Sequence, residues 1–258
     1  IPVFICGKPG TSKSLSVQLL FNAMVGESSS SKLLQKFPRL TINYYQGAKT
    51  STSEGVERAF QKAKNLEGEF NKGISLVYFD ELGLAELSPN NPLKVLHKEL
   101  ELDINGNTKQ VAFVGISNWT LDASKMNRGV FLSILDPDEE DLKETAKAIQ
   151  SSYETNFSIN ELNLLSNLAS TYYKFKNDLP KTKYKEFSDF FGTRDFYHLI
   201  KVCCRLFMEK QREPIGKIMS TSIERNFGGL DWSIKYAKEI LLTINTNLTR
   251  KNINTEEY

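Results

Sequence analysis

The chain has 258 residues, of which 40% are hydrophobic and 25% charged, a balance typical of a globular protein with one large or two modest domains. Its formal net charge is only +2, so composition gives no support for a field that would hold nucleic acid or an anionic membrane. No apolar stretch approaches the ~20 residues that a bilayer-spanning helix needs, and no secretory signal is visible.

The first half of the chain alternates short apolar runs with helical patterns. The predicted strands are Val3–Cys6, Leu40–Tyr45, Ile74–Phe79, Val111–Ile116 and Val130–Leu135. The predicted helices between them are Lys13–Met24, Ser53–Lys64 and Pro92–Glu101. Such alternation indicates βαβ units, and apolar runs of this kind predict parallel strands covered on both faces. The chain starts at Ile1, directly in a strand and without an initiator Met, which suggests a segment of a longer polypeptide.

Beyond Asp136 the pattern is helical only. A helix opens with proline early and acids in its first turn, at Asp136-Pro137-Asp138-Glu139-Glu140. Further helices are predicted over Ser158–Phe175, Arg194–Glu209, Pro214–Arg225 and Trp232–Asn245, with a surface connection at Asn177–Ser188 and a loose end at Lys251–Tyr258. We therefore expect an α/β subdomain over residues 1–135, a helical lid over 136–229, and a helix with a tail or linker over 230–258.

A glycine-rich loop follows the first strand and runs into the first predicted helix. Its residues are Gly7, Lys8, Pro9, Gly10, Thr11, Ser12, Lys13 and Ser14, followed by Leu15. A P-loop requires this strand–loop–helix context, in which backbone N–H groups and the helix dipole hold phosphates. Lys13 would reach the β- and γ-phosphates and Ser14 would bind Mg²⁺. Ser12 replaces the usual glycine, which is tolerable if its φ is negative on entering the helix. The alternative is a plain Gly/Ser turn with an exposed lysine.

Two acids close the third predicted strand. Asp80 at the carboxyl end of a parallel strand near the loop can hold Mg²⁺ directly or through water. The adjacent Glu81 can orient and deprotonate an attacking water. An acidic strand end that simply meets solvent is the alternative, but the pair together with the loop indicates hydrolysis of ATP or GTP.

Three further polar residues are weaker candidates. Asn118 ends the next strand, where it can bond the γ-phosphate or the lytic water; alternatively, it only forms a turn. Arg128 lies between that strand and the next and can stabilise transition-state charge in a neighbouring subunit. Arg194 begins a lid helix from which it can reach the γ-phosphate. Either arginine can instead form a surface salt bridge.

The cysteines argue against disulfides and structural zinc. Cys6 lies in an apolar run and Cys203 adjoins Cys204, which gives neither a disulfide framework nor metal-ligand spacing. With His97 and His198 as the only histidines, a histidine-rich metal site is also disfavoured. Buried thiols in a reducing compartment are expected, which indicates a cytoplasmic location.

In this order the elements resemble Walker A, Walker B, sensor 1, arginine finger and sensor 2 of the AAA+ superfamily. A narrower resemblance is to the AAA+ units of the mysterin family of giant dynein-like RING-type ubiquitin ligases. The segments that carry it are Asp80–Pro89, Pro92–His97, Gly115–Trp119, Lys125–Gly129 and Arg225–Gly229. The same family has serine before the P-loop lysine, so Ser12 fits its pattern.

The resemblance implies a Mg·ATP-hydrolysing module that sits among neighbouring AAA+ modules of one chain or ring, with Arg128 serving the adjacent module and a protein as possible substrate. No cysteine-rich zinc module is present in the sequence, so ubiquitin transfer is expected only from other parts of the full-length protein. A nucleotide-binding structural or switch module with little turnover is the second hypothesis. A nucleic-acid motor is disfavoured by the charge balance.

Overall fold

A computed structural model describes residues 1–69, 73–101, 111–153, 155–182, 184–185, 188, 191–209 and 213–229. The chain forms two compact units, Ile1–Asp136 and Pro137–Tyr258. The predicted helix Trp232–Asn245, the tail Lys251–Tyr258 and the segment 230–258 that contains them lie outside the described residues. No helix in the described ranges combines the length and apolar character that crossing a bilayer requires.

The first unit is built on a parallel sheet of five strands in the order β2-β3-β4-β1-β5. The strands are β1 Val3–Cys6, β2 Arg39–Gln46, β3 Gly73–Asp80, β4 Ala112–Ser117 and β5 Val130–Ser133. In the register, Cys6 lies opposite Ser117 of β4, and Gln46 lies opposite Asp80 of β3. The carboxyl ends of β1, β3 and β4 therefore meet at one edge of the sheet, and the P-loop leaves from that edge.

Helices cover both faces of this sheet. They are α1 Lys13–Ala23, α2 Ser53–Glu69, α3 Leu82–Glu86, α4 Val95–Glu99 and α5 Ala123–Met126, with 3₁₀ turns at Gly26–Ser28, Leu34–Lys36 and Pro92–Lys94. On one face α1 packs Val17 and Phe21 against β-strand residues that include Leu76. On the other face α2 packs Phe60 against a cluster that includes Phe79. The predicted fold, a parallel α/β sheet flanked by helices and followed by a helical region, is confirmed.

The two edge strands depart from the prediction of coverage on both faces. In β5, Val130, Phe131 and Leu132 are 41–45% exposed, and Ile42 of β2 is 41% exposed. A strand at the edge of a sheet has one neighbouring strand instead of two, so a prediction from apolar composition alone overestimates how much of it is buried. The strand β5 also ends at Ser133 rather than at Leu135.

Other boundaries were wrong by a few residues. The helix predicted over Pro92–Glu101 is a 3₁₀ turn followed by the short α4, and α2 continues past Lys64 to Glu69. The short helices α3 and α5 were not predicted, because segments of four or five residues are too short to show a helical period.

The second unit is helical. Its described helices are α6 Glu139–Ser151, α7 Ile159–Asp178, α8 Thr193–Glu209 and α9 Ile215–Phe227, with a 3₁₀ turn at Leu179–Lys181. The expected start of α6 is supported by a capping box in which Asp138 and Asp141 bond each other's backbone N–H. The predicted surface connection begins later than Asn177, because α7 continues to Asp178 and the following Leu179 is buried. Fully buried aromatic side chains, including Tyr172, form the centre of this unit's core.

Candidate nucleotide-binding site

The glycine-rich loop joins the end of β1 to the start of α1. Gly7 donates its N–H to the carbonyl of Ser117 at 3.2 Å, which ties the loop to the end of β4. Further along, the N–H and the hydroxyl of Thr11 both bond to the carbonyl of Lys8, at 3.4 and 2.9 Å. The loop is thus a closed turn with both ends fixed, as phosphate binding by backbone N–H groups requires.

Two loop residues have left-handed backbone conformations. Gly10 has φ 88° and Ser12 has φ 60°, so the expectation of a negative φ at Ser12 is wrong. Ser12 is the N-cap of α1, and its carbonyl accepts the N–H of Ser16 at 2.9 Å. The loop therefore has to turn sharply and start a helix within one residue, which glycine does freely and serine at a cost of ~1–2 kcal/mol.

The Lys13 side chain folds back over the loop and is 5% exposed. Its ammonium donates to the carbonyl oxygens of Gly7 at 2.5 Å and Lys8 at 2.7 Å, and lies 3.5 Å from the Thr11 hydroxyl. Carbonyl oxygens satisfy a buried ammonium whose desolvation would otherwise be costly. They also fix Lys13 inside the turn, where phosphate oxygens can replace them as acceptors.

The remaining predicted loop residues differ in what they offer. Lys8 forms a 3.1 Å salt bridge with Asp136, and Pro9 is exposed. Ser14 is half-buried in the first turn of α1 and presents a hydroxyl. The Leu15 side chain is exposed, so Leu15 offers a phosphate only its backbone N–H.

The acid pair sits at the end of β3 in a strained turn. Asp80 is the last residue of β3, and its Oδ1 accepts the N–H of Glu81 at 2.9 Å. Glu81 has φ 51° and caps α3, a left-handed conformation that costs a non-glycine residue ~1–3 kcal/mol. Gly47, at the end of β2, donates its N–H to the carbonyl of Asp80 at 2.8 Å. A Cβ at Gly47 would lie 2.3 Å from the Glu81 carbonyl oxygen, so glycine permits this contact.

Two tyrosines border Asp80, and the sequence reasoning missed both. Burial raises the pKa of Tyr78 to about 12. A hydrogen bond with the Ser14 side chain lowers this pKa, and the charge of Asp80 raises it. For Tyr44, burial and then the charges of Asp80 and Glu81 raise the pKa. A signal was available for Tyr78, a polar aromatic in a largely apolar run that ends at Asp80, whereas the pairing of Tyr44 with Tyr78 is seen only in the β2–β3 register of the structure.

Asn118 follows β4 directly and is half-buried. Because β4 lies between β3 and β1, Asn118 belongs to the strand end between the acid pair and the P-loop. The turn after it is fixed by Ser117, whose hydroxyl bonds the Trp119 carbonyl at 2.5 Å and accepts the Trp119 N–H at 3.2 Å. The structure thus brings the loop, the acid pair and Asn118 to adjacent strand ends.

Arg128 lies away from that edge, held by the end of α4 and the residues that follow it. Its guanidinium donates to Glu101 at 2.9 Å and to the His97 carbonyl at 3.2 Å, and lies 3.3 Å from His97 Nδ1. Arginine only donates, so the ring nitrogen acts as acceptor in this contact. Within this chain Arg128 therefore forms a salt bridge, which was the alternative to a role as an arginine finger. A role as a finger toward a neighbouring module stays a prediction.

Arg194 belongs to the second unit. It is exposed in the first turn of α8, just after Gly192, whose N–H bonds the side chain of Asp195 at 2.7 Å. Its predicted action on the γ-phosphate stays a prediction.

The chain matches the family model described as the RNF213 AAA domain over residues 1–141. It is 40% identical over 240 residues to the E3 ubiquitin-protein ligase rnf213-beta of Danio rerio, a match that covers 89% of this chain and 4% of that protein. To the E3 ubiquitin-protein ligase RNF213 of Homo sapiens it is 35% identical over 237 residues, which cover 90% of this chain and 4% of that protein. The chain belongs to the RNF213 (mysterin) AAA domain family. The resemblance noted in the sequence is confirmed.

This RNF213-type AAA domain spans a small part, 4%, of the length of those relatives. Among solved structures it is similar to a RuvB variant of Thermotoga maritima, with a TM-score of 0.58 and 16% identity over 96% of this chain and 69% of that one. At that identity the likeness establishes the AAA+ fold alone.

The AAA+ fold implies nucleotide binding, and the residues of this domain fit a magnesium nucleotide. Mg²⁺ prefers oxygen ligands, and a hydroxyl at Ser14 and a carboxylate at Asp80 are the hard donors that P-loop proteins supply. The buried hydroxyl of Tyr78 interacts with the side chains of both residues.

Proposed function

We propose that this chain binds and hydrolyses Mg·ATP as one AAA+ module of a larger, mysterin-like, ring-forming mechanochemical protein. The observation that carries the proposal is the acid pair Asp80–Glu81, which ends β3 at the same edge of the sheet as the P-loop, with Glu81 kept in a strained backbone conformation. Strain of this kind persists only where the surrounding structure imposes it, and it concentrates at active sites.

Binding begins at the loop. The ammonium of Lys13 exchanges the carbonyls of Gly7 and Lys8 for β- and γ-phosphate oxygens, because a charged acceptor forms roughly twice as strong a hydrogen bond. Backbone N–H groups of the loop and of the α1 N-terminus take the remaining phosphate oxygens. Mg²⁺, when bound, neutralises charge on the phosphates, and Ser14 and Asp80 are the residues that would hold it.

Hydrolysis then depends on the strand ends. Glu81 orients the attacking water and accepts its proton, and Asn118 bonds that water or the γ-phosphate. We assign Arg194 to the γ-phosphate as a lid residue. Arg128 acts on the nucleotide of an adjacent module, which requires it to leave Glu101 and His97 first.

The test is Glu81→Gln, which keeps the size of the side chain and removes the base. Wild-type chain and variant are compared for ATP turnover and, separately, for Mg·ATP affinity. Loss of a general base lowers turnover by ~10²–10⁴-fold, whereas affinity is retained because Glu81 is not assigned a phosphate or metal contact. Glu54→Gln, at a side chain 79% exposed on α2, is the matched control.

An unchanged turnover in Glu81→Gln would remove the enzyme assignment and leave the second candidate, a nucleotide-binding switch or scaffold. The same pair of measurements is repeated in the intact protein that carries this segment, since fingers from neighbouring modules are expected to be needed for full turnover.

Partners and compartment follow from the same proposal. We propose neighbouring AAA+ modules as the immediate partners, a protein as the substrate, and the cytoplasm as the compartment, in keeping with three buried free thiols. Nucleic acid is not assigned. Binding to DNA or RNA that weakens steeply with salt would contradict this.

A further inference from the structure

The short helix α3 connects the acid pair to the segment that carries Asn118. It begins at Leu82, directly after Glu81, and packs against the end of β4. A Cβ at Gly115 of β4 would lie 2.9 Å from Leu82 Cδ2, so glycine at this position allows the strand and the helix to approach closely. Because Leu82 is also fully buried, the first turn of α3 is fixed against the strand that Asn118 follows.

The indole of Trp119 covers the next residue of that helix. A Cβ at Gly83 would lie 2.7 Å from Trp119 Cε2 and 2.8 Å from Trp119 Cζ2, so the ring lies directly on the glycine. The backbone of Trp119 is held as well, because the Ser117 hydroxyl bonds both its N–H and its carbonyl. Asn118 lies between these two residues, so its backbone is fixed from both sides.

The far end of α3 is joined to the same part of the chain. Glu86 Oε1 accepts the N–H of Asp122 at 3.1 Å and a hydrogen bond from the ammonium of Lys125 at 2.8 Å. The side chains of Glu86 and Lys125 are only 18% and 20% exposed, so solvent screens this ion pair less than it screens a surface pair. The helix that Glu81 caps is therefore attached at both ends to the residues around and after Asn118.

The place of Trp119 is not explained by core packing alone. A tryptophan that stays 39% exposed buries less apolar area than one inside the core. What this ring provides is a rigid, flat contact, because it has two side-chain torsions and a large surface. The contact joins the residue after Asn118 to the helix that follows Glu81. Asparagine has a short side chain, so its reach depends on where this contact holds its backbone.

We infer that Trp119 is a positioning residue of the proposed hydrolysis. Its indole, packed on Gly83, holds the backbone of Asn118 at a set distance from Glu81. The inference rests on the proposed function, in which Glu81 acts on the attacking water and Asn118 on that water or on the γ-phosphate. Trp119 itself is assigned no contact with nucleotide or water.

The experiment compares Trp119→Ala and Trp119→Phe in turnover of Mg·ATP and in affinity for Mg·ADP. Loss of the indole is expected to lower kcat about 10²-fold, since a ~1 Å misplacement costs that much. Affinity for Mg·ADP is expected to stay at the wild-type value, because ADP lacks the γ-phosphate. Trp119→Phe keeps a flat ring and is expected to restore part of the turnover. Phe37→Ala is the matched control, since it truncates a 47% exposed aromatic that precedes β2, at the opposite edge of the sheet.

A double-mutant cycle distinguishes positioning from a general structural role. If Trp119 acts through Asn118, Trp119→Ala lowers turnover by less than about twofold in the Asn118→Ala background, because the side chain that it positions is already gone. Equal losses in both backgrounds would overturn the inference, as would wild-type turnover in Trp119→Ala or a parallel loss of Mg·ADP affinity. If the wild-type chain hydrolyses no ATP, alone and within the intact protein, the proposed function fails, and this inference fails with it.

Discussion

The contact between Gly47 and the backbone of Glu81 makes Gly47→Ala a sharp perturbation. The added Cβ would lie 2.3 Å from the Glu81 carbonyl oxygen, 2.9 Å from its carbonyl carbon and 3.1 Å from the Asp80 carbonyl oxygen. All three are backbone atoms, so no rotamer change relieves the overlap. Non-bonded heavy atoms settle near 3.5 Å, so the Glu81 peptide has to move by ~1 Å.

That displacement has two measurable consequences. Overpacking of this kind costs about 1–3 kcal/mol of the free energy of unfolding, which lowers the melting temperature by about 3–10 °C. A ~1 Å misplacement of a catalytic group lowers turnover by about 10²-fold. Nucleotide affinity is expected to stay close to wild type, because the loop and Lys13 belong to the segment that joins β1 to α1 and do not contact Gly47.

The assay is steady-state ATP hydrolysis, with nucleotide affinity and thermal melting measured on the same samples. Retained affinity shows that a slow variant is folded. Gly229→Ala is the matched control, since a Cβ at Gly229 meets nothing within 4 Å. Wild-type turnover and melting in Gly47→Ala would refute the reasoning that Gly47 sets the position of Glu81.

Two further predictions concern the second unit. Tyr172→Phe removes a buried hydroxyl that donates to the Gly192 carbonyl at 2.8 Å. We expect this substitution to lower the free energy of unfolding, measured by denaturant titration, by ~1 kcal/mol. An unchanged free energy of unfolding would mean that the hydrogen bond contributes nothing to stability. Burial raises the pKa of Cys203 to about 12 and that of Cys204 to about 11, so both remain thiols at pH 8. We therefore expect an alkylating reagent to modify them only as the chain unfolds, with the modification followed by mass spectrometry. Rapid labelling of the folded chain would contradict this.

Much of the candidate site was readable from residue order. The loop, Asp80 and Asn118 each follow an apolar run, and parallel strands bring their carboxyl ends to one edge, so their proximity follows once the sheet is predicted. The family resemblance was carried by the same residues. Periodicity supplied the long helices, such as α7 and α8, because many turns repeat the same signal.

What the sequence did not reveal depends on tertiary contacts. The positive φ of Ser12 and Glu81 is imposed by the tight turns that follow β1 and β3, and serine and glutamate themselves give no sign of it. The guanidinium of Arg128 meets Glu101 across 27 positions of the chain, a pairing that no local pattern encodes. The burial of β5 was overestimated because an apolar run does not reveal whether its strand is central or terminal.

The outer position of β5 has a practical consequence for anyone who prepares this chain. Within the described residues β5 pairs with β1 alone, so its far side presents unpaired N–H and C=O groups beside exposed Val130, Phe131 and Leu132. A bare apolar strand edge is a template for pairing with a second copy. The oligomeric state should therefore be measured by light scattering across a dilution series whenever rates or affinities are measured, because association through this edge would make the results depend on sample concentration.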